Sequence, residues 1–264
     1  MRVLLVVIAA LVSLCTLGSL GALAVELGGS RIITDTQSLP TGARSLTIDT
    51  GDCAAAVRLT VDADATEPRV EVRMVTRTGD TQLTVANDAA GSLVKLGDGA
   101  PGSLWWLRPA EMNVILPPAV AQVLSVTVNQ QTGSLSTDAN FDQLIAKIGD
   151  GPVTLGGSAR RIDVNVRRGD ISTSNPIAVT ESFTANTESG DIRVNFRSAP
   201  RTTEAIAADD VTVGLAGPGP YRVRVQSEGR RGETRVTVPQ SNDPKAPGVT
   251  ARSESGNVTV AELR

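Results

Sequence analysis

The chain has 264 residues, 41% hydrophobic but only 2% aromatic, with a formal net charge of −3 and a pI near 5.2. That balance offers no basic footprint for nucleic acid. Histidine is absent, which excludes Ser-His-Asp and Cys-His nucleophile systems, histidine acid–base chemistry and histidine-ligated metal sites.

Val3 to Val25 form an uncharged run, VLLVVIAALVSLCTLGSLGALAV. About 20 apolar residues span a bilayer as a helix, so the run predicts a hydrophobic transmembrane helix. Only Met1 and Arg2 precede it, and the positive-inside tendency keeps them cytoplasmic. The expectation is a single-pass cell-membrane protein whose C-terminal domain is extracytoplasmic. The alternative is a signal peptide cleaved after Ala24, on the Ala22-Leu23-Ala24 site, although the apolar stretch exceeds an h-region of roughly 7–15 residues. The two cysteines are Cys15 and Cys53, and Cys15 lies inside this run. Cys53 therefore lacks an obvious intrachain partner and reads as a small buried residue beside a turn.

Residues 26–44, with Gly28, Gly29, Pro40 and Gly42, read as a linker. An N-terminal β region is expected over 45–128. Leu46 and Ile48 alternate with polar residues, as do Val57, Leu59 and Val61, then Val70, Val72 and Met74. Leu83 and Val85, then Met112, Val114 and Leu116, then Leu124, Val126 and Val128 continue the pattern. Each segment is short, has period two and is bounded by Gly, Asp, Asn or Pro. No helical period appears past residue 26, and NFDQLIAKIGD allows one helical turn before Gly149 and Gly151.

Over 129–264 the pattern becomes a repeat. TGSLSTD centres on Leu135, DGPVTL on Val153, RGDISTS on Ile171, SGDIRVNF on Ile192 and DDVTVGL on Val211. GETRVTV follows around Thr234, and SGNVTV around Val258, so the centres lie 18, 18, 21, 19, 23 and 24 residues apart. A spacing near 20 marks a stacked repeat. One tight polar turn with one short strand cannot bury its apolar face alone. Coiling the chain so that each copy stacks on the last, about 4.8 Å away, builds a continuous narrow core. The recurrent Gly-Asp pair is then a corner: Gly permits a positive φ, and Asp or Asn bonds nearby backbone N–H groups.

The apolar N-terminal run, the SRIITDTQSLPTGARSLTIDTGD stretch and the repeated GD-I-x-V rungs resemble the bacterial "putative adhesin" family of unknown function, whose domain is called DUF4097. The match is to its membrane-anchored actinobacterial type and covers roughly residues 30 to 264. It implies an all-β fold: a right-handed β-solenoid-like stack of short strands with an N-terminal β region, preceded by one transmembrane or signal helix. The family carries no agreed catalytic residues, so none is transferred, and no metal or cofactor is assigned.

Four local features invite sharper readings. Arg168-Gly169-Asp170 matches an integrin-binding tripeptide but falls on a repeat corner. Asp150, Asp170, Asp191 and Asp209 with Asp210 suggest a calcium ladder, yet lack the close Gly-Gly-x-Gly-x-Asp spacing. The same carboxylates would suit a glycoside-cleaving solenoid if two faced one groove. Trp105 and Trp106 are adjacent, so on a strand they point to opposite faces. They read as a hydrophobic plug or as a binding patch for lipid, glycan or a partner protein.

The function expected is a non-enzymatic cell-envelope protein presenting a β-solenoid surface for adhesion or for a protein or glycan partner. Two alternatives stay open. One is a carbohydrate-active enzyme using paired aspartates, and the other is an extracytoplasmic subunit of a membrane stress-response system.

Overall fold

A computed structural model of the chain describes residues 31–76, 83–88, 91–97, 110–217, 219–230 and 232–263. The apolar alternation becomes strands nearly throughout. In the N-terminal part these are β1 (Arg31–Ser38), β2 (Ser45–Asp49), β3 (Ala55–Val61), β4 (Arg69–Thr76), β5 (Leu83–Asn87), β6 (Ser92–Leu96) and β7 (Ala110–Leu116). One short helix, α1 (Pro118–Ala121), leads into β8 (Ser125–Asp150), a long extended stretch that contributes to both faces of the stack. Then come β9 (Val153–Leu155), β10 (Gly157–Arg168), β11 (Ile171–Thr173), β12 (Ile177–Thr187), β13 (Ile192–Ser198), β14 (Thr202–Ala207) and β15 (Val211–Leu215). The last four are β16 (Arg222–Ser227), β17 (Thr234–Val236), β18 (Gly248–Ser253) and β19 (Val258–Glu262).

The coils stack in parallel register. On one face Met112, Val57, Leu135, Val153, Ile171, Ile192, Val211 and Val258 form a column of direct neighbours, and all are buried. From Leu135 onward these are centres that the repeat spacing picked out, and the remaining one, Thr234, pairs with Val258 beyond them and is exposed. On the opposing face Ala146, Val164, Ala185, Ala205 and Ala251 stack likewise. The second face sets this mostly alanine column beside larger buried residues such as Leu144, Ile162 and Phe183. Phe183 and Phe196 fill one wider place, packed edge-on with ring centroids 5.0 Å apart.

The order of the coils differs from serial stacking at both ends. β19 lies between β15 and β17, and β18 lies between β14 and β16. The last coil in sequence is therefore an inner one, and β16–β17 is the outermost. Burial explains the choice. Val249, Ala251, Val258 and Val260 are fully apolar inward positions, whereas Val223, Val225 and Val236 are only partly buried and Thr234 is exposed. The coil with less apolar surface loses less at the end. At the other end β2–β3 sits between β6–β7 and β8. There the outer edges are covered by antiparallel strands, β4 on β7 and β5 on β6.

Several expectations are corrected. Single-pass membrane anchoring is not supported: no helix among the described residues is long and apolar enough to cross a membrane, α1 having four residues. Most described apolar residues alternate along strands and point inward, Ile32 and Val123 being exposed, so they build strand faces and no apolar helical surface. The Val3–Val25 run and Ala24 lie outside the described residues. Within the stretch read as a linker, Arg31–Ser38 is a strand pairing antiparallel with β4. No boundary interrupts the ladders near residue 129, because β2 and β3 continue in register onto β8. The one helical turn allowed in NFDQLIAKIGD is extended chain instead, its inward residues being Phe141, Leu144, Ala146 and Ile148.

Candidate binding groove

The corner aspartates form a ladder of backbone caps. Oδ1 of Asp170 accepts the N–H of Asp191 at 2.9 Å, and Oδ1 of Asp191 accepts the N–H of Asp210 at 2.9 Å. Asp210 accepts the N–H of Asn257 at 2.7 Å, and Asn257 accepts that of Glu233 at 3.0 Å. The repeated Gly-Asp phrase is thus read out coil to coil as one hydrogen bond per corner. The glycines beside it are equally constrained. Gly151, Gly169 and Gly190 have φ of 137°, 144° and 132°, and a Cβ on Gly169 would come within 2.2 Å of the Gly151 carbonyl oxygen.

Arg168-Gly169-Asp170 is consumed by the same architecture. Asp170 caps the next coil, Gly169 holds the corner, and Arg168 pairs with Asp150. Hydrogen bonding from Arg168 holds the Asp150 carboxyl below its ordinary pKa. A second charge ladder stands at the register shift within β10, between Ala159 and Arg161. Arg160 grips Asp142 with two bonds, of 2.8 and 2.9 Å, and reaches Glu181 at 3.0 Å, while Arg161 donates to Glu181 at 2.7 Å. The arginine bonds hold Asp142 and Glu181 below their ordinary values. Cys53 is half-buried, and burial pushes its thiol pKa up, the opposite of an activated nucleophile. Among the described residues no group of three or more His, Cys, Asp or Glu is placed to hold a metal. Trp105 and Trp106 lie outside the described residues.

A groove of about 500 Å³ crosses several coils on the outer side of the second face. Its floor is a column of outward residues, Asp49, Asn129, Lys147, Asn165 and Asn186, one per coil. Beside it runs a second column, Gln131, Gly149, Arg167 and Glu188. Gly149 makes the depression. It lacks a side chain where its neighbours carry long ones, and a Cβ there would come within 2.4 Å of the Gln131 carbonyl oxygen. Gly51, at φ 52°, lowers the wall next to Asp52.

The groove differs from the corner and β10 surfaces in what its side chains are doing. The corner and β10 charges are bound to each other or to backbone. By contrast Asn129, Gln131 and Asn186 make no side-chain hydrogen bond among the described residues, and Lys147 makes no ion pair there. Asn165 donates to Asp163 at 2.8 Å, and Asp49 accepts the Gly51 N–H at 3.0 Å. Uncommitted amides and an unpaired cation in a concave site are hydrogen-bonding capacity left for something else.

None of these groove residues was singled out from sequence, yet a signal exists. Asn129, Lys147, Asn165 and Asn186 are spaced 18, 18 and 21 apart, the same intervals as Leu135, Val153, Ile171 and Ile192. Each stands six residues before a strand centre. Aligning the repeats by phase, and reading the outward positions down the columns, brings them together.

No protein-family model and no curated protein matches the chain. Solved structures do. A "putative adhesin" from Parabacteroides distasonis shares 10% identity at a TM-score of 0.48, with 88% of this chain and 97% of that chain covered. A "putative adhesin" from Bacteroides fragilis shares 13% at 0.43, covering 88% and 97%. A "putative lipid binding protein" from Parabacteroides distasonis shares 12% at 0.38, covering 89% and 97%. The chain itself is nearly all β, with a solenoid-like stack of parallel strands.

Proposed function

We propose that the chain is a non-enzymatic binding protein of the cell envelope, which holds a polar partner across its coils in the groove of Asn129, Lys147, Asn165 and Asn186. The resemblance to the DUF4097 domain, with the right-handed winding it implies, belongs to the same proposal. The observation that carries it is the contrast in commitment: the corner and β10 charges are bound internally, whereas Asn129, Asn186 and Lys147 of the groove are not.

Lack of catalysis is part of the proposal. Asp49 and Asn186 stand four rungs apart, roughly 19 Å at the spacing of stacked strands. Glu188 is at the Asn186 end. Carboxylates that cleave glycosides must lie about 5–9.5 Å apart across one bond. Asp49 and Glu188 therefore serve as the two ends of a long site, not as a pair.

The test is an array of glycans and peptides probed with the full chain and with an Asn129→Ala/Asn186→Ala double variant. Both side chains face outward, so the variant keeps its fold. The proposal predicts that its binding is lost. Retained binding by the double variant would place the site elsewhere.

A further inference from the structure

We infer that the groove's ligand is an extended glycan that carries a carboxylate on some of its sugars but not on all, seated with a carboxylate on Lys147. The inference rests on the groove being the binding site and names what fills it.

Three observations lead there. The first excludes a protein partner. Protein interfaces are anchored by buried aromatic or apolar side chains entering pockets. The outward groove residues are amides, charges and glycine, and the apolar ones at its floor, Ile148 and Val166, are buried inward. The second is periodicity. Amides hold three of four successive rungs of the column, Asn129, Asn165 and Asn186, at a coil spacing of about 4.8 Å, close to the length one sugar adds to an extended glycan, and those of Asn129 and Asn186 are free. An amide donates and accepts at once, which suits hydroxyl and acetamido groups. The third is the placement of charge. Lys147 is the exposed, unpaired cation between Asn129 and Asn165 in the column. Carboxylates stand at both ends, Asp49 and Asp52 at one and Glu188 at the other. A densely charged polyanion would meet repulsion at each end. A glycan with a uronate flanked by neutral sugars meets the cation at the centre and leaves neutral groups beside the acids.

The experiment is calorimetric titration of the full chain with three hexasaccharide probes. Hyaluronan has alternating uronate and acetamido sugars, chitohexaose is neutral, and oligogalacturonate is acidic at every sugar. Hyaluronan is expected to bind best, more weakly at high salt. Lys147→Met is expected to weaken it about twofold to fivefold, the value of one partly exposed charge pair, and Lys147→Arg to restore most of the loss. Equal binding of chitohexaose, tighter binding of oligogalacturonate, or indifference to Lys147→Met would overturn the inference while leaving the groove as the site, provided that Asn129→Ala/Asn186→Ala still abolishes binding. If no probe binds, the ligand class is wrong. If a probe binds and the double variant binds it equally, the groove reading has failed as well.

Discussion

Ile192 and Arg193 are neighbours in sequence with opposite fates. Ile192 is 0% exposed and lies between Ile171 and Val211 in the buried column, whereas Arg193 faces solvent. Ile192→Asp puts an unpaired carboxylate into a dry core, at a cost of several kcal/mol, comparable with the stability of a whole domain. Arg193→Asp also loses an ion pair with Asp191, but a surface pair is worth only about 0–1 kcal/mol. Urea midpoints of the two variants should differ sharply, and equal, mild shifts would mean that the alternation faces no core. Val164 against Asn165 should repeat the contrast. At the corners, Asp191→Ala removes the acceptor of the Asp210 N–H and should cost about 1 kcal/mol, with Asp191→Asn retaining most of it. Gly169→Ala should cost more, because the new Cβ meets a backbone carbonyl that cannot rotate away. The β10 ladder adds a pH dependence. Asp142 and Glu181 titrate below their ordinary values when folded. Their contribution is therefore full above the ordinary carboxylate range, about 4, and is lost as pH falls through the folded values. Urea midpoints measured from pH 7 down to pH 3 should decline at the acid end, and Arg160→Gln should flatten that decline.

At the scale of elements, the exchanged coil order makes a prediction that serial stacking does not. Residues 197–201 join Phe196 to Thr202. Residues 216–220 would join Leu215 to Gly248 through the same number of residues if 221–247 were deleted. Phe196 pairs with Leu215, and Thr202 with Gly248, so the shortened chain closes into a serial stack. Deletion of 221–247 should leave a cooperatively folding protein. Deletion of 248–264 instead removes the inner coil and leaves only the less apolar β16–β17 to cover β14 and β15, so this variant should unfold at clearly lower urea than the 221–247 deletion; an equal or higher midpoint would contradict the assigned order. The strands were legible in the sequence because alternation is local: Leu135, Val153, Ile171 and Ile192 announce themselves within a few residues each. The coil order was not, since Val211 would accept Thr234 or Val258 by pattern, and only relative burial decides between them. The groove was hidden for a similar reason. Its residues are ordinary surface polar side chains one at a time, and they become a site only when the 18- to 21-residue spacing stacks them beside Gly149.

Across the whole molecule, one device serves three ends. Stacking in register gives the core its continuous column, gives the corners their chain of carboxylate caps, and lines up Asn129, Lys147, Asn165 and Asn186 as a binding surface. Stability and site therefore depend on a single register, and a slip of one residue would turn every inward side chain outward. The most direct measurement is a methyl NOE spectrum of the isotopically labelled full chain. The register predicts cross-peaks joining Ile171 to Ile192, Ile192 to Val211 and Val211 to Val258, with Thr234 seen from Val258 but not from Val211. A direct Val211–Thr234 cross-peak, or the absence of the Ile171–Ile192 one, would contradict the stack and the groove built on it.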